Sequence, residues 1–312
     1  MEVITIFLYI LPAIFFGWSL GANDAANIFG TAVSNRIVKY RTATIISAIF
    51  IILGAMLDGA KGIETISSIS SSQIGLASIS VFASAITMTT MTYLGVPVSS
   101  SQAIVGSLIV TSLIEGNVKW GVLVKLFAAW IGTPIGGIIF SFLAYKIFAV
   151  PFNKIKSIYV KEKVIFYGTL IIGAYGSYSL GANNVANITG VFAKTIGVQN
   201  AALLGGVSIA LGVLTYSYKV MYTVGTQIIE LDYYSSAIAV LGESITVWIY
   251  ALLGIPVSTS QAIVGAVIGA GYARGSRLSS KKIILKIVSA WVNTPVISGA
   301  ITFLIYYIVK MF

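Results

Sequence analysis

The sequence predicts an all-α polytopic membrane protein made of two inverted-topology repeats, with broken helices and paired helical hairpins. Hydrophobic residues make up 57% of the 312 residues and charged residues only 9%. A soluble domain carries roughly 25% charged residues. Three motifs recur in the same order in the two halves of the chain. Basic residues gather in alternate predicted loops, which is typical of a chain that crosses the membrane repeatedly.

Long apolar runs recur along the chain, and several approach the ~20 residues that a helix needs to cross a bilayer. Examples are Thr42–Leu57, Gly121–Phe148 and Ile283–Val309. The chain contains no cysteine and no histidine. Disulfides and thiolate metal sites are therefore excluded, and so is the commonest catalytic base. This composition argues against an enzyme, and we expect no organic cofactor.

Three pairs of matching segments indicate an internal duplication. The segment Ser19–Asn27 reads SLGANDAAN and returns as SLGANNVAN 160 residues later. The segment Leu94–Gly106 reads LGVPVSSSQAIVG and returns as LGIPVSTSQAIVG 159 residues later. The segment Trp130–Pro134 reads WIGTP and returns as WVNTP 161 residues later. This ordered set predicts two membrane repeats with a linker between them, at residues 1–150, 151–163 (the linker) and 164–312.

Each repeat contains the same predicted elements. In the first repeat a long apolar helix is broken at Gly21–Asn27, and Thr42–Leu57 forms the next span. Two short helices, at about 77–93 and 99–114, then flank Pro97, and a last span follows. The short pair either re-enters the membrane as a hairpin or crosses it twice, so the repeat crosses an odd number of times. An odd number turns the second repeat upside down relative to the first.

Basic residues predict the orientation of these spans. With the N-terminus outside, the inside loops hold 11 of the 19 basic residues, and the outside loops with the C-terminal end hold four. The inside residues are Arg36, Lys39, Arg41, Lys154, Lys156, Lys161, Lys163, Arg274, Arg277, Lys281 and Lys282, and the outside residues are Lys61, Lys119, Lys194 and Lys310. The positive-inside rule then predicts a cytoplasmic linker and two termini outside the cell membrane. The net charge of +10 is explained by topology, and we expect no nucleic-acid partner.

The first repeated motif predicts a cation site. Asn23, Asp24 and Asn27 follow Gly21 within an apolar segment, where a charged side chain is unfavourable by ~2.5–3.5 kcal/mol and is usually functional or paired. Carboxylate and amide oxygens suit Na⁺, or a proton on Asp24, and glycine allows a helix to open and expose carbonyl groups. The matching residues of the second repeat are Asn183, Asn184 and Asn187. An alternative is that these amides only link helices through hydrogen bonds.

The second repeated motif predicts an anion site at two helix starts. Proline ends the preceding helix, and Ser99 or Ser258 can cap the next one. The amides and hydroxyls at each start then offer a positive helix end to an anion, without any lysine or arginine. The residues concerned are Ser99, Ser100, Ser101 and Gln102, and Ser258, Thr259, Ser260 and Gln261. Inverted repeats bring both starts to the membrane midplane, whereas an ordinary capped surface turn is the alternative.

The two motifs together predict a cation-coupled anion symporter, because bound cations supply the positive charge that both motifs lack. Both motif pairs closely resemble those of the inorganic phosphate transporter family, over essentially the whole chain. The resemblance implies uptake of inorganic phosphate coupled to Na⁺, or alternatively to H⁺, and a homodimer in the lipid bilayer. It also implies that residues 99–102 and 258–261 hold phosphate together with Asp24, and that the cation ligands are Asn23, Asp24, Asn27, Asn183, Asn184 and Asn187.

Rival functions stay open at this point. A transporter of sulfate or another tetrahedral oxyanion is the nearest alternative, because helix-end amides bind both anions. Sulfate carries no proton at neutral pH, so a site with Asp24 as an acceptor favours phosphate. An anion channel is a more distant alternative, because it requires a continuous polar path.

Four further residues either differ between the repeats or precede a proline. Asn184 stands where the resembled family often carries aspartate, so one fixed negative charge is missing. Glu243 lies before Pro256, where the first repeat has Ser84. It is interpreted as a proton-coupling site, a cation ligand or a residue that lines an aqueous vestibule. Thr133 and Thr294 each precede a proline, and we expect them to replace the hydrogen bond that proline frees at a hinge, or to mark a simple kink.

Overall fold

The fold is all-helical in a computed structural model that describes residues 3–93, 98–227, 231–275 and 281–311. Its α-helices are α1 (Val3–Ser34), α2 (Tyr40–Asp58), α3 (Ala60–Ile69), α4 (Ile74–Tyr93), α5 (Ser100–Ile114), α6 (Trp120–Lys154), α7 (Ile158–Thr189), α8 (Ala193–Ile196), α9 (Val198–Gln227), α10 (Tyr233–Leu252), α11 (Thr259–Arg274) and α12 (Lys281–Lys310). A 3₁₀ turn at Gly190–Phe192 joins α7 to α8. Within these ranges, eight helices are long and apolar enough to cross a membrane. The predicted all-α membrane fold is confirmed.

The two repeats interlock and do not form separate domains. The motif offsets match α1, α2, α4, α5 and α6 with α7, α9, α10, α11 and α12. The first helix of each repeat packs on the second helix of the other, as α1 on α9 and α7 on α2. Likewise α5 packs against α12, and α11 packs against α6. Each half therefore buries much of its surface against the other half.

The tips of the two hairpins, α4–α5 and α10–α11, meet inside the molecule. The Ser101 hydroxyl donates to the Val257 carbonyl at 2.6 Å, and the Ser260 hydroxyl donates to the Val98 carbonyl at 2.7 Å. The two donors occupy equivalent positions in the two repeats, and so do the two acceptors. This reciprocal pair of hydrogen bonds indicates a local two-fold relation between the hairpins. With 15 and 16 residues, α5 and α11 are roughly 22–24 Å long, shorter than the ~30 Å hydrocarbon core. This geometry agrees with the re-entrant alternative and with inverted repeats.

The first repeated motif does not break its helix. The helices α1 and α7 run through Gly21–Asn27 and its counterpart without interruption, so the break predicted there is wrong. A Cβ on Gly21 would lie 2.0 Å from the Ile209 carbonyl oxygen, and one on Gly181 would lie 2.0 Å from that of Ile51. These glycines serve close helix packing, for which small residues are needed. The described break lies at the second tip, between α10 and α11; Leu94–Pro97, with the predicted proline stop, lie outside the described residues.

The helices α6 and α12, which contain Pro134 and Pro295, hold the hairpins in place. A Cβ on Gly106 would lie 2.2 Å from the Pro295 carbonyl oxygen, and one on Gly265 would lie 2.1 Å from that of Pro134. The Thr133 and Thr294 hydroxyls donate to the carbonyls of Ala129 and Ala290 at 2.6 and 2.7 Å. Pro134 and Pro295 lack an N–H group, so the carbonyls left free are those of Trp130 and Trp291, one residue after the carbonyls that the threonines bond. The expectation that threonine replaces the lost bond is therefore wrong.

Different side chains lie at the end of the molecule predicted to be outside and at the end predicted to be inside. Lys119 and Lys194, both predicted outside, line one polar cavity of about 300 Å³. The Phe152 ring, at the predicted inside linker, stacks on Tyr234 with ring centroids 4.5 Å apart. The linker is mostly helical, because α6 extends to Lys154 and α7 starts at Ile158. Arg277 lies outside the described residues.

Candidate functional site: a buried junction at the hairpin tips

The centre of the candidate site is the Asp24 carboxylate. Asp24 is 2% exposed, and its Oδ2 atom accepts hydrogen bonds from Asn184 Nδ2 and Thr259 Oγ1, both at 2.9 Å. Asp24 and Asn184 are equivalent positions of the two repeats, so they meet where the two-fold relation brings α1 and α7 together. One oxygen of the carboxylate thus receives two bonds, while Oδ1 receives none in the described structure.

Several further oxygens around this junction lack a donor. Among the described residues, the buried motif oxygens without a hydrogen-bond partner are Asp24 Oδ1, Asn184 Oδ1, Asn187 Oδ1, Gln102 Oε1 and Gln261 Oε1. Buried polar atoms without partners are uncommon in folded proteins, and each requires a reason. A set of carboxylate and amide oxygens at membrane depth is what a coupling cation binds.

The second repeated motif forms the helix starts that the sequence predicts. The Ser99 hydroxyl accepts the Gln102 amide at 3.3 Å, and the Ser258 hydroxyl accepts the Gln261 amide at 3.2 Å. The predicted N-caps are therefore confirmed. The first two amides of each helix, Ser100 and Ser101 in α5 and Thr259 and Ser260 in α11, have no acceptor within their helix. These starts are buried, since Ser99–Gln102 are 0–4% exposed, which excludes the surface-turn alternative.

The asparagines of the first motif divide into two groups. Asn187 donates to the Ser101 hydroxyl at 3.0 Å, so it joins the junction with Asn184. Asn183 instead supports the second tip, where its Oδ1 accepts the Val257 amide at 2.9 Å. Asn23 donates to Thr92 Oγ1 at 2.8 Å in the first hairpin. The alternative in which the amides only link helices therefore applies to Asn23 and Asn183. Asn27 is half-buried and forms no side-chain hydrogen bond with a described residue.

A short helix covers the second tip. Lys61 Nζ donates to the Leu252 carbonyl at 3.0 Å, and the Thr65 hydroxyl donates to the Gly254 carbonyl at 2.6 Å. Both donors lie on α3, at the end of the molecule predicted outside. Sequence reasoning counted Lys61 only as an outside charge, because a contact across 191 residues leaves no local signal.

The comparisons with known proteins match this architecture. The sequence model of the Phosphate transporter family matches residues 20–163 and again residues 153–302. The chain belongs to the phosphate transporter family. The two matches correspond to the two repeats, and membership makes the chain a membrane transporter and not an enzyme.

Similar proteins have both phosphate and sulfate in their names. A protein of Methanocaldococcus jannaschii, named a presumed phosphate permease, is 33% identical over 97% of each chain. A sulfate permease of Bacillus subtilis is 28% identical over 95% of this chain and 86% of its own. A solved structure, the sodium-dependent phosphate transporter, superposes with a TM-score of 0.87 at 25% identity, covering 98% of this chain and 99% of that one.

This phosphate-family transporter also has two buried tryptophans, which the sequence alone identified only as part of a repeated motif. The indole N–H groups of Trp130 and Trp291 are buried and have no acceptor among the described residues. Each lies one helical turn before a proline that contacts α11 or α5. The repeated WxxTP spacing was the signal that could have placed them near the tips.

The remaining candidate site residues, Glu243, Thr133 and Thr294, are buried. Glu243 is 4% exposed, so it does not line an open vestibule in this structure. Thr133 and Thr294 are fully buried within α6 and α12.

Proposed function

We propose that this chain is a Na⁺-coupled symporter that imports inorganic phosphate across the cell membrane. The observation that carries the proposal is the buried junction at the hairpin tips. There one carboxylate, two amide oxygens without donors and the positive starts of two helices lie together. No lysine or arginine bonds to this junction in the described structure, so cations must accompany the anion to balance its charge.

The cation part of the site consists of oxygens on α1 and α7. Asp24 Oδ1, Asn184 Oδ1 and Asn187 Oδ1 are buried and without donors, and the carboxylate supplies the negative charge that Na⁺ requires. Asn23 and Asn183 support these ligands through the hairpins to which they are bonded. Asn27, which lies three residues after Asp24 on α1, is the remaining proposed ligand.

The phosphate part of the site consists of residues 99–102 and 258–261. The unpaired amides at both helix starts donate to phosphate oxygens, as helix N-termini do in many anion sites. In the structure the Ser101 and Ser260 hydroxyls bond across the tips. We propose that phosphate replaces this exchange and draws donors from both tips. Asp24 accepts the phosphate O–H, which sulfate lacks.

The coupling ratio determines whether membrane potential drives uptake. Two Na⁺ with one H₂PO₄⁻ carry a net charge of +1, which gains ~2.3 kcal/mol per 100 mV. This free energy equals about 50-fold accumulation before the Na⁺ gradient is counted. With HPO₄²⁻ the same ratio is electroneutral.

Separate ion gradients test the proposal. We expect proteoliposomes to take up labelled phosphate when an inward Na⁺ gradient is imposed at equal pH. A pH gradient without Na⁺ should give only the rate of protein-free liposomes. Uptake driven by the pH gradient alone would move the coupling to H⁺. Uptake that ignores both gradients would contradict symport.

Sulfate is the second candidate substrate, because the Bacillus subtilis relative is named a sulfate permease. Competition decides between the two anions. We expect a tenfold excess of unlabelled phosphate to suppress labelled phosphate uptake far more than the same excess of sulfate. Stronger suppression by sulfate would reassign the substrate.

The orientation can be tested directly because the chain has no cysteine. We propose that both termini lie outside the cytoplasm and that the 151–163 linker lies inside. A single cysteine in place of Lys119 should react with a membrane-impermeant maleimide in intact cells, whereas one in place of Lys156 should react only after lysis. The reverse pattern would overturn the orientation. Cross-linking of labelled chains in membranes tests the proposed homodimer.

A further inference from the structure

A cluster of three serines lies between the first hairpin and α12 of the other repeat. Ser84 of α4, Ser107 of α5 and Ser298 of α12 are all 0% exposed. The Ser84 and Ser107 hydroxyls lie 3.0 Å apart, and the Ser107 and Ser298 hydroxyls lie 2.7 Å apart. This hydroxyl cluster joins the two helices of the first hairpin to the helix that packs on them.

The corresponding place, between the second hairpin and α6, holds a carboxyl group and no serine cluster. Glu243 of α10 occupies the position of Ser84, Ala266 of α11 that of Ser107, and Gly137 of α6 that of Ser298. The helices approach closely there, because a Cβ on Gly137 would lie 2.3 Å from the Ala262 carbonyl oxygen. Both hydroxyls that serve Ser84 are thus replaced by groups that cannot donate a hydrogen bond to Glu243.

The Glu243 carboxyl group consequently has one buried oxygen without a hydrogen-bond partner in the described structure. The residue is 4% exposed, and its Oε2 atom accepts no hydrogen bond. The described residues form a single ion pair, between Arg274 and Asp232 at the mouth of the second hairpin. An isolated ionised carboxylate in such surroundings is strongly unfavourable, and a bound proton or cation removes the penalty.

The charged and titratable groups on the neighbouring helices are few. The α10 helix packs against α1, α3, α6, α7 and α11. The charged and titratable groups that contact α10 or its cap in the described structure are Asp58 of α2, whose carboxylate accepts the Trp248 indole N–H at 3.0 Å, Lys61 of α3, Tyr145 of α6, Tyr175 of α7 and Arg274 of α11. Lys61 is bonded to the tip, Tyr145 contacts Tyr234 at the start of α10, and Tyr175 contacts Trp248. Asp24 is the acidic group of the junction at the hairpin tips, and its helix α1 packs against α10.

We propose that Glu243 binds a proton inside the second repeat and that this proton sets the affinity of the Asp24 junction for phosphate. A proton fits better than Na⁺, because Na⁺ requires several oxygen ligands and the residues that replace the two partner serines, Ala266 and Gly137, have no side-chain oxygen. Ionised Glu243 adds negative charge beside an anion site and repels phosphate, and protonated Glu243 does not. Acidification therefore strengthens phosphate binding. The inference rests on the proposed function.

Phosphate binding across a pH series tests the proposal. We expect calorimetry on wild-type protein in nanodiscs at saturating Na⁺ to show weaker phosphate binding as pH rises. One linked proton changes the affinity by up to about tenfold per pH unit. Glu243→Gln mimics the protonated side chain, so it should lose the part of the pH dependence that Glu243 contributes and bind more tightly than wild type at high pH. Phosphate itself titrates equally in both samples, so their difference isolates Glu243. Identical pH profiles would overturn the proposal.

A second measurement separates this inference from the proposed function. Infrared spectra of wild-type protein should show the C=O stretch of a buried carboxylic acid. The band should be lost in Glu243→Gln and kept in Glu64→Gln, which removes an exposed carboxyl on α3. Glu243→Ser, which restores the residue of the first repeat, should also lose it and guards against a folding defect of one variant. A wild-type spectrum without the band would overturn the proton site, whereas absent phosphate binding in every sample would overturn only the proposed function.

Discussion

The two copies of the first motif differ by a single charge where they meet. Asp24 accepts two hydrogen bonds on one oxygen, and its counterpart Asn184 donates one of them at 2.9 Å. If both positions held carboxylates, two like charges would share this contact and one would have to bind a proton or a cation. The asparagine removes that conflict and supplies a donor. The scaffold is therefore symmetric, while the chemistry at its centre is divided into an acceptor side and a donor side.

The largest effect on uptake is expected when the difference between the acceptor Asp24 and the donor Asn184 is removed. Asp24→Asn makes the two copies alike and removes the charge that Na⁺ requires. We expect Na⁺-driven phosphate uptake in proteoliposomes to fall by at least about 100-fold, the equivalent of ~3 kcal/mol. Asn184→Asp keeps Asp24 and should retain uptake, with a new pH dependence because two carboxyl groups now share one contact. Uptake by Asp24→Asn above half the wild-type rate would show that the charge is not needed.

The second prediction concerns the close helix crossings of the two copies. Gly21→Ala and Gly181→Ala each place a Cβ 2.0 Å from a carbonyl oxygen, and overpacking of this kind destabilises by about 1–3 kcal/mol. The free energy of unfolding in detergent should fall for both variants. Gly168→Ala is the matched control, because it lies in α7 with nothing within 4 Å of the added Cβ. Equal stability of all three variants would reject the packing role.

The third prediction separates the two hairpin tips. The Ser101 hydroxyl donates to Val257 and also accepts from Asn187, whereas the Ser260 hydroxyl has only its bond to Val98 among the described residues. Since a hydrogen bond contributes about 1 kcal/mol, Ser101→Ala should lower the free energy of unfolding about twice as much as Ser260→Ala. A larger loss for Ser260→Ala would indicate that the tips are not paired as described.

The smallest effect is expected at the hairpin mouths. The Arg274–Asp232 pair closes the second mouth at 3.1 Å with about 40% of each side chain exposed. Exposed pairs contribute about 0–1 kcal/mol, so Arg274→Ala should change unfolding by less than ~0.5 kcal/mol. Asp232→Ala should cost about 1 kcal/mol, because Asp232 also caps α10 through the Ser235 amide at 2.8 Å. Equal effects would mean that the ion pair, and not the cap, stabilises this mouth.

Much of the fold and part of the site could be predicted from local sequence signals. The caps at Ser99 and Ser258 were predicted correctly, because capping depends on residues three positions apart. The break at Gly21 was not, because glycine inside a helix permits both opening and close packing. Only the backbone at Ile209 decides between these outcomes. Asn183 and Asn184 are likewise indistinguishable in sequence, although successive residues on a helix point about 100° apart and reach different partners.

The sequence by itself determined the membrane fold, the duplication and the residue types at the junction, because hydropathy, repetition and capping are properties of short segments. Tertiary structure alone decided that the two tips exchange hydrogen bonds, that Asp24 meets Asn184, and that α3 covers the second tip. These contacts join residues 156, 160 and 191 positions apart. Their geometry depends on how interlocking repeats pack, and no local pattern records that packing. Glu243 is a further example, because its lack of a hydrogen-bond donor depends on how α6 and α11 pack against α10.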